Sequence, residues 1–406
     1  MDTYFTGLGR MVLEQWKREN FSLAKFPGIA CAALEARPPA KHVDLTKFVR
    51  EFLLNEEQPP QTQSGFGQPE LVAYEHPRFY IQILFWLEGT TDIHQHEFSG
   101  AFHVMAGSSI HAQYEFETRR VVTPHFRVGD LRMKKIELQK AGDTVPIISG
   151  NGCIHSLFHL ETPSVTVVLR TQNDPGTGPQ YNYLPPHLAM DTVFSDTLTM
   201  RRKQLLEVLE QTQDPKFPGL VREMLEDLDF ERGFFILQHC MGHLWSLGEW
   251  EGALKVFLKK HGKLAKGVAA TLEESVRRDA IKQLRSHIED TEHRFFLALL
   301  MNVGARADLL KLVAKRFPKV APAVTIMRWA EELSEDSEHG AVILDATFPE
   351  ALAVSSEEQF PLFMAALKHF LQGGKKVPKS LGALSAGQLN QLHAALFNSS
   401  LRVLLV

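Results

Sequence analysis

Apolar and polar positions change rhythm twice along the chain. Over residues 1–65 the spacing is helical. Met11, Val12, Leu13 and Trp16 begin one apolar stripe, and Leu45, Phe48, Val49, Phe52 and Leu53 form a second. Asp44 stands where an N-cap for that second helix belongs. Gln, Pro, Ser and Gly between Glu56 and Gly67 then break the pattern.

From about 70 the grammar is that of strands. Phe79–Trp86 is rich in aromatic and β-branched residues, and short runs of the same kind follow at 101–106, 110–116, 133–138, 144–148 and 164–170. Gly, Asp, Pro and Asn separate them, and no helical stretch intervenes. Such a series predicts an antiparallel sandwich or barrel. The stretch 171–186, which contains Asn173-Asp174-Pro175-Gly176, reads as a closing loop. Beyond about 195 the rhythm is helical again. Trp250, Ala253, Leu254, Phe257 and Leu258 share a helix face, as do Phe295, Phe296, Leu299, Leu300 and Val303. The chain thus reads as α+β in three parts: a helical lead-in over 1–65, a β region over 66–190 and an all-α region over 195–406.

Composition narrows the functional classes. The chain has 406 residues, 44% hydrophobic and 23% charged, with a formal net charge of -4. That length supports two or three cores. The mild acidity gives no reason to expect nucleic acid or an anionic membrane as partner. No uncharged apolar run reaches the length of a membrane span. The N-terminal residues lack the basic segment and apolar core of a signal peptide. Three widely separated cysteines, Cys31, Cys153 and Cys240, do not suggest a disulfide framework, so a reducing cytoplasm is the expected compartment.

The chemistry concentrates in the β region. In Asp92-Ile93-His94-Gln95-His96 the two histidines are two apart, so on a strand both rings point to one side. Two imidazoles need a further ligand to hold a first-row divalent metal. His155, after the Gly-containing turn Ser149–Cys153, is the best candidate from another strand. An HxH pair by itself is a weak signal. A third histidine just before the run 164–170 strengthens it.

Two segments carry a family resemblance. Arg78–Gly89 with the HxH and Gly107 resembles the first motif of the cysteine dioxygenase branch of the cupin superfamily. Ser149–His155 followed by Glu161–Val167 resembles the second. The likeness covers about 70–185. It implies a jelly-roll cupin barrel with Fe(II) on His94, His96 and His155, to which O2 binds while a thiolate is oxidised to a sulfinate. Three departures accompany it. The position of the common fourth ligand falls near Gly100, with Glu97 close by. No arginine lies near Pro69 and Glu70, where the likeness places the group that binds the substrate carboxylate. Val168 and Arg170 stand where a histidine and a tyrosine are expected. These departures argue against cysteine itself as substrate.

Strand parity extends the candidate set. If Leu84 and Trp86 face the barrel interior, Gln82 and Tyr80 share their side and could orient a substrate; alternatively, one satisfies a neighbouring backbone group and the other caps the barrel. Arg170 shares parity with Val168 and could bind an anionic substrate in place of the missing arginine; alternatively, as a strand-end residue, it reaches solvent or pairs with an acid. Cys153 shares the face of His155 and reads as a pocket residue or a small buried hydrophobe. His103 is expected to point outward and is the first alternative ligand, with Glu97, should the register slip by one. His159 reads as a loop histidine. His239, Cys240 and His243 have ligand-like helical spacing, but they lie in an apolar stripe that suits core packing.

The expected function is an Fe(II)-dependent oxygenase acting with O2 on a small thiol, polar or anionic molecule, or on a peptide held by the helical region. That region is also a candidate surface for a protein partner. A zinc or manganese site acting as isomerase or lyase, and a non-catalytic metal- or ligand-binding scaffold, are the competing readings.

Overall fold

Strand β2 (Phe79–Trp86) is apolar except at Gln82 because nearly all of it is buried on both faces. In the computed structural model, whose described residues are all of 1–406 except 1–2, 63–65, 192, 195, 336–339, 341–342, 344–348, 350–351, 353 and 375–376, β2 lies between β1 (Glu70–His76) and β9 (Ser164–Thr171). With β4 (Gly100–Ala106) and β7 (Thr144–Ile147) these form an antiparallel sheet in the order β1-β2-β9-β4-β7. A second set closes on itself in the order β10-β11-β6-β5-β8-β3. Its members are β3 (Ile93–His96), β5 (Ser108–Thr123), β6 (Phe126–Lys140), β8 (Gly150–His159), β10 (Tyr181–Leu184) and β11 (Leu188–Asp191).

Side-chain alternation sorts the five-stranded sheet into two faces. Phe79, Ile81, Ile83, Val165, Val167 and Leu169 pack outward in one cluster with Phe5, Leu8, Val12, Trp16 and Phe26. Those partners come from helices α1 (Thr3–Arg18) and α2 (Phe26–Ala36). The short α3 (Pro39–His42) and α4 (Leu45–Leu54) follow, and Asp44 caps α4 by accepting from the Lys47 amide at 3.0 Å. The lead-in is therefore a layer covering the sheet. On the inner face, Leu84, Trp86, Phe102, Ile147 and Val168 meet Leu157 of β8 in a separate cluster.

After Asp191 the described residues are helical. Helices α5 (Thr197–Gln211), α6 (Phe217–Asp227), α7 (Phe230–Ser246) and α8 (Trp250–His261) share a core with Phe126, Val128 and Leu188 of the ring. Helix α9 (Val268–His287) gives Val268 and Leu272 to that core. It gives Ile281 and Leu284 to a second core, which is shared with α10 (Thr291–Asn302), α11 (Arg306–Arg316), α12 (Pro322–Glu335) and the helices Ser356–Leu371 and Ala386–Phe397. The α+β organisation expected from the sequence is thus met by antiparallel sheets, a closed ring of strands and a helical C-terminal region. Among the described residues no helix is long and apolar enough to cross a membrane.

One sequence reading needs correction. The segment 171–186, expected to be a closing loop, contains β10. This strand pairs on one side with β11 and on the other with β3, placing Asn182 opposite His94. It escaped notice because Tyr181-Asn182-Tyr183-Leu184 is short and lies among turn residues.

Candidate metal centre

The HxH pair lies on β3, and its two rings point into the space between the two sheets. Gln95, between them, points the opposite way. Its amide donates to the Pro179 carbonyl (2.8 Å), and the Tyr183 hydroxyl donates to its Oε1 (2.6 Å). This anchoring of the intervening residue fixes the parity of the strand. His155 on β8 is directly opposite His94 across the β3–β8 ladder.

The three residues form a buried group whose potential ligand atoms all lie within 4.8 Å of one another. His96 Nε2 and His155 Nε2 are 2.8 Å apart. At metal–nitrogen bonds of about 2.1 Å, adjacent ligand atoms stand about 3 Å apart, so this pair already has ligand spacing. His94 donates from Nδ1 to the Asp92 carbonyl at 2.8 Å, which leaves its Nε2 as a lone-pair atom. That Nε2 is buried without a hydrogen-bond partner. His155 Nδ1 lies 2.9 Å from His111 Nε2; with His155 as donor, its Nε2 also presents a lone pair. Two of the three rings are therefore oriented from outside with their inner nitrogens turned toward one point. A buried acceptor with nothing to accept from is costly unless something fills the space. The donor set fits a divalent cation.

The electrostatics suit the same role. Burial lowers the pKa of all three imidazoles, well below the usual range for His96 and His155. His94 and Arg170 lower His96 further; His94, His96 and His111 do the same to His155. The rings are neutral near pH 7, the form that binds a metal without first losing a proton.

The cluster opens on a cavity of about 200 Å³ between the sheets. Of the candidates expected there, Gln82, Leu84, Trp86, Val168 and Arg170 line it. Trp86 is fixed by donating from Nε1 to Thr166 Oγ1 at 3.0 Å. Gln82 donates to the Glu70 carboxylate, which also accepts from the Thr62 hydroxyl at 2.7 Å. Arg170 turns inward, with its guanidinium 3.4 Å from the centroid of Phe98 and 4.9 Å from that of Tyr80. Burial lowers its pKa despite the acidic groups nearby. The guanidinium also donates to the Thr171 carbonyl at 3.3 Å and to Asn173 Oδ1 at 3.4 Å, and the residue is partly exposed, so it lines the cavity while keeping a strand-end contact with solvent.

Other candidates lie elsewhere. Tyr80 contacts the guanidinium with its ring and is not part of the lining. Cys153 is buried but does not line the cavity. The reason is a register irregularity: His94 is opposite His155, yet His96 is opposite Gly150, so simple alternation does not carry from His155 back to Cys153. Gly150, at φ 65°, has the left-handed backbone this bulge uses. Burial raises the Cys153 thiol to about 11 and keeps it protonated. Glu97 accepts from Asn173 at 3.0 Å, and His103 shares a hydrogen bond with Thr144 at 2.8 Å; neither belongs to the three-residue group. At Gly100 an added Cβ would be 2.1 Å from the Leu169 carbonyl oxygen, so strand packing admits no side chain there and hence no fourth ligand.

His159 corrects another expectation. It ends β8, is fully buried, stacks on Trp86 at 4.7 Å and shares a 2.7 Å hydrogen bond with Ser109. The sequence reading also missed the roles of His111 and Glu70. His111 lies on β5, where Gln113 pairs with His155, and an inward histidine on a strand beside a ligand strand is the signal that could have found it. In the helical region, Cys240 is buried in the core, His239 Nε2 meets the Lys203 carbonyl at 3.1 Å, and His243 packs against Phe217.

No protein-family model matches the chain, and no curated protein matches it. Among solved structures, the capsular polysaccharide assembling protein CapF from Staphylococcus aureus is similar at 18% identity, over 30% of this chain and 33% of that one, with a TM-score of 0.18. The match spans about a third of that protein's length and is too slight to carry an argument.

Proposed function

We propose that this chain is a cupin-type, mononuclear non-haem Fe(II) oxygenase related to thiol dioxygenases, which oxidises a small anionic substrate, a thiol above all, with O2. The supporting observation is the buried group of His94, His96 and His155, with inner nitrogens turned together, next to a cavity that also holds Arg170. A two-sheet antiparallel architecture with the ligands on facing strands is consistent with the cupin reading.

Bound Fe(II) would supply a Lewis-acidic, redox-active centre with open positions for two further ligands. This chain's own residues do the rest. Three neutral imidazoles leave the site with the full charge of the cation, which favours an anionic donor group. Arg170, which contacts the Phe98 and Tyr80 rings, offers its guanidinium to a second negative group. Gln82 and Glu70 form a polar edge, and Leu84, Phe102, Leu157 and Val168 give the cavity apolar walls. A volume of about 200 Å³ suits a small-molecule substrate. A longer molecule would have to present one end.

The test is anaerobic reconstitution with Fe(II), followed by oxygen-electrode assays with small thiols that do and do not carry a carboxylate. Oxygen uptake that depends on iron and favours the carboxylated thiols is the expected result. A protein that takes zinc alone and is inert to every thiol would overturn the proposal.

A further inference from the structure

Three cations on one face of α9, at spacings i, i+4 and i+7, reach toward the segments that carry the imidazoles. Lys282 Nζ is 2.8 Å from Asp92 Oδ1. Asp92 is also the residue whose carbonyl accepts from His94 Nδ1, and its other carboxylate oxygen accepts from Asn182, the β10 residue opposite His94. Arg278 donates to the Met301 carbonyl (2.8 Å) and to Asn302 Oδ1 (3.3 Å). The same Asn302 oxygen accepts from Ser156, the neighbour of His155, at 3.3 Å. Arg285 donates from Nη2 to the His159 carbonyl at 3.1 Å. Arg278 and Arg285 are nearly fully buried at 8% and 3% exposure, whereas the Lys282–Asp92 pair lies at the surface beside them.

Strand β8 is thus gripped on both sides. His155, Leu157 and His159 face the cavity or its wall, whereas Ser156 and Phe158 face the helices, with Phe158 in the C-terminal core. The helical region does not merely follow the barrel in sequence. It contacts the residues that flank two of the three candidate ligands.

We infer that α9 is a positioning element of the metal centre, with Lys282 acting through Asp92 to set the orientation of His94. This rests on the metal-site reading above and extends it to a helix that contributes no ligand. A metal-bound imidazole depends on the acceptor at its other nitrogen for ring orientation and basicity. Here that acceptor belongs to a residue clamped by Lys282.

The experiment is a Co(II) titration of the full-length chain, following the visible ligand-field bands, for the wild type, Lys282→Met, Lys282→Arg and His94→Ala. Lys282→Met should weaken Co(II) binding by about tenfold and shift the bands, with little change in the Tm of the metal-free protein. Lys282→Arg should restore most of the affinity. Unchanged affinity and bands in Lys282→Met, with binding lost in His94→Ala, would overturn the role of α9 and leave the metal site standing. A lower Tm with unaltered bands would show a purely structural contact and also overturn it. A wild type that binds no Co(II) would remove the site reading and this inference together.

Discussion

The chain holds two sets of metal-ligand residue types, and the fold treats them in opposite ways. His94, His96 and His155 come from two paired strands. The period of two brings both HxH rings to one side, while the partner strand brings the third ring opposite. His239, Cys240 and His243 come from one helix, α7, where each finds its own partner: a backbone carbonyl, the apolar core and a phenyl ring. The first set leaves a buried nitrogen unpaired and turned inward. The second forms no such group. Residue type is therefore a poor mark of a site; buried donor atoms that converge and remain unfilled are a better one.

The comparison can be broken at its strongest point first. His155→Ala should lower metal affinity beyond the 10–100-fold that loss of an outer partner costs, while His243→Ala should leave it unchanged. Isothermal titration with Co(II) or Fe(II) measures both. A loss in His243→Ala as large as that in His155→Ala, or no loss in His155→Ala, would contradict the assignment.

Arg170→Met keeps the apolar stem against Phe98 but removes the charge. Losing a charge-assisted hydrogen bond of about 1.5–3 kcal/mol should raise KM for an anionic thiol by about ten- to a hundredfold, with little change for an uncharged one and none in metal content. A uniform loss for both substrates would indicate a packing role instead.

A further comparison is between a ligand and its support. His111→Phe removes the acceptor for His155 Nδ1 and should weaken metal binding by about tenfold. Unaltered affinity would show that His155 needs no such partner.

Acidity separates the two regions more gently. Buried His159 titrates at about 3, far below an unfolded value near 6.5, because burial and then Arg285 disfavour its charged form. Its folded pKa is the lower one, so the unfolded state takes up the proton first and stability falls as pH drops below about 6.5. Between pH 6.5 and 5 this one group costs about 2 kcal/mol. Denaturant unfolding at the two pH values should show a smaller loss for His159→Gln than for the wild type, the difference being about that amount. Identical losses would contradict the burial of this ring.

The sequence showed much of this because strand alternation is a local signal. The limits of β2 could be read directly from its aromatic and branched run, and the parity of His94 and His96 needed no tertiary information. The N-cap at Asp44 was equally local. What escaped depends on pairing between distant segments. The place of Cys153 turns on a bulge that only the β3–β8 register reveals. β10 is too short to announce itself, and its meaning lies in closing the ring beside β3. The supports at His111, Asp92 and Lys282 come from three separate elements, and nothing in their local sequence marks them as companions of the ligands.

The most direct test of the central claim is X-ray absorption of the protein loaded with one equivalent of Co(II) or Fe(II). The account predicts a first shell containing three imidazole nitrogens at about 2.1 Å and no sulfur, because the Cys153 thiol lies outside the cavity. A shell lacking imidazole scattering, or one dominated by sulfur, would contradict it.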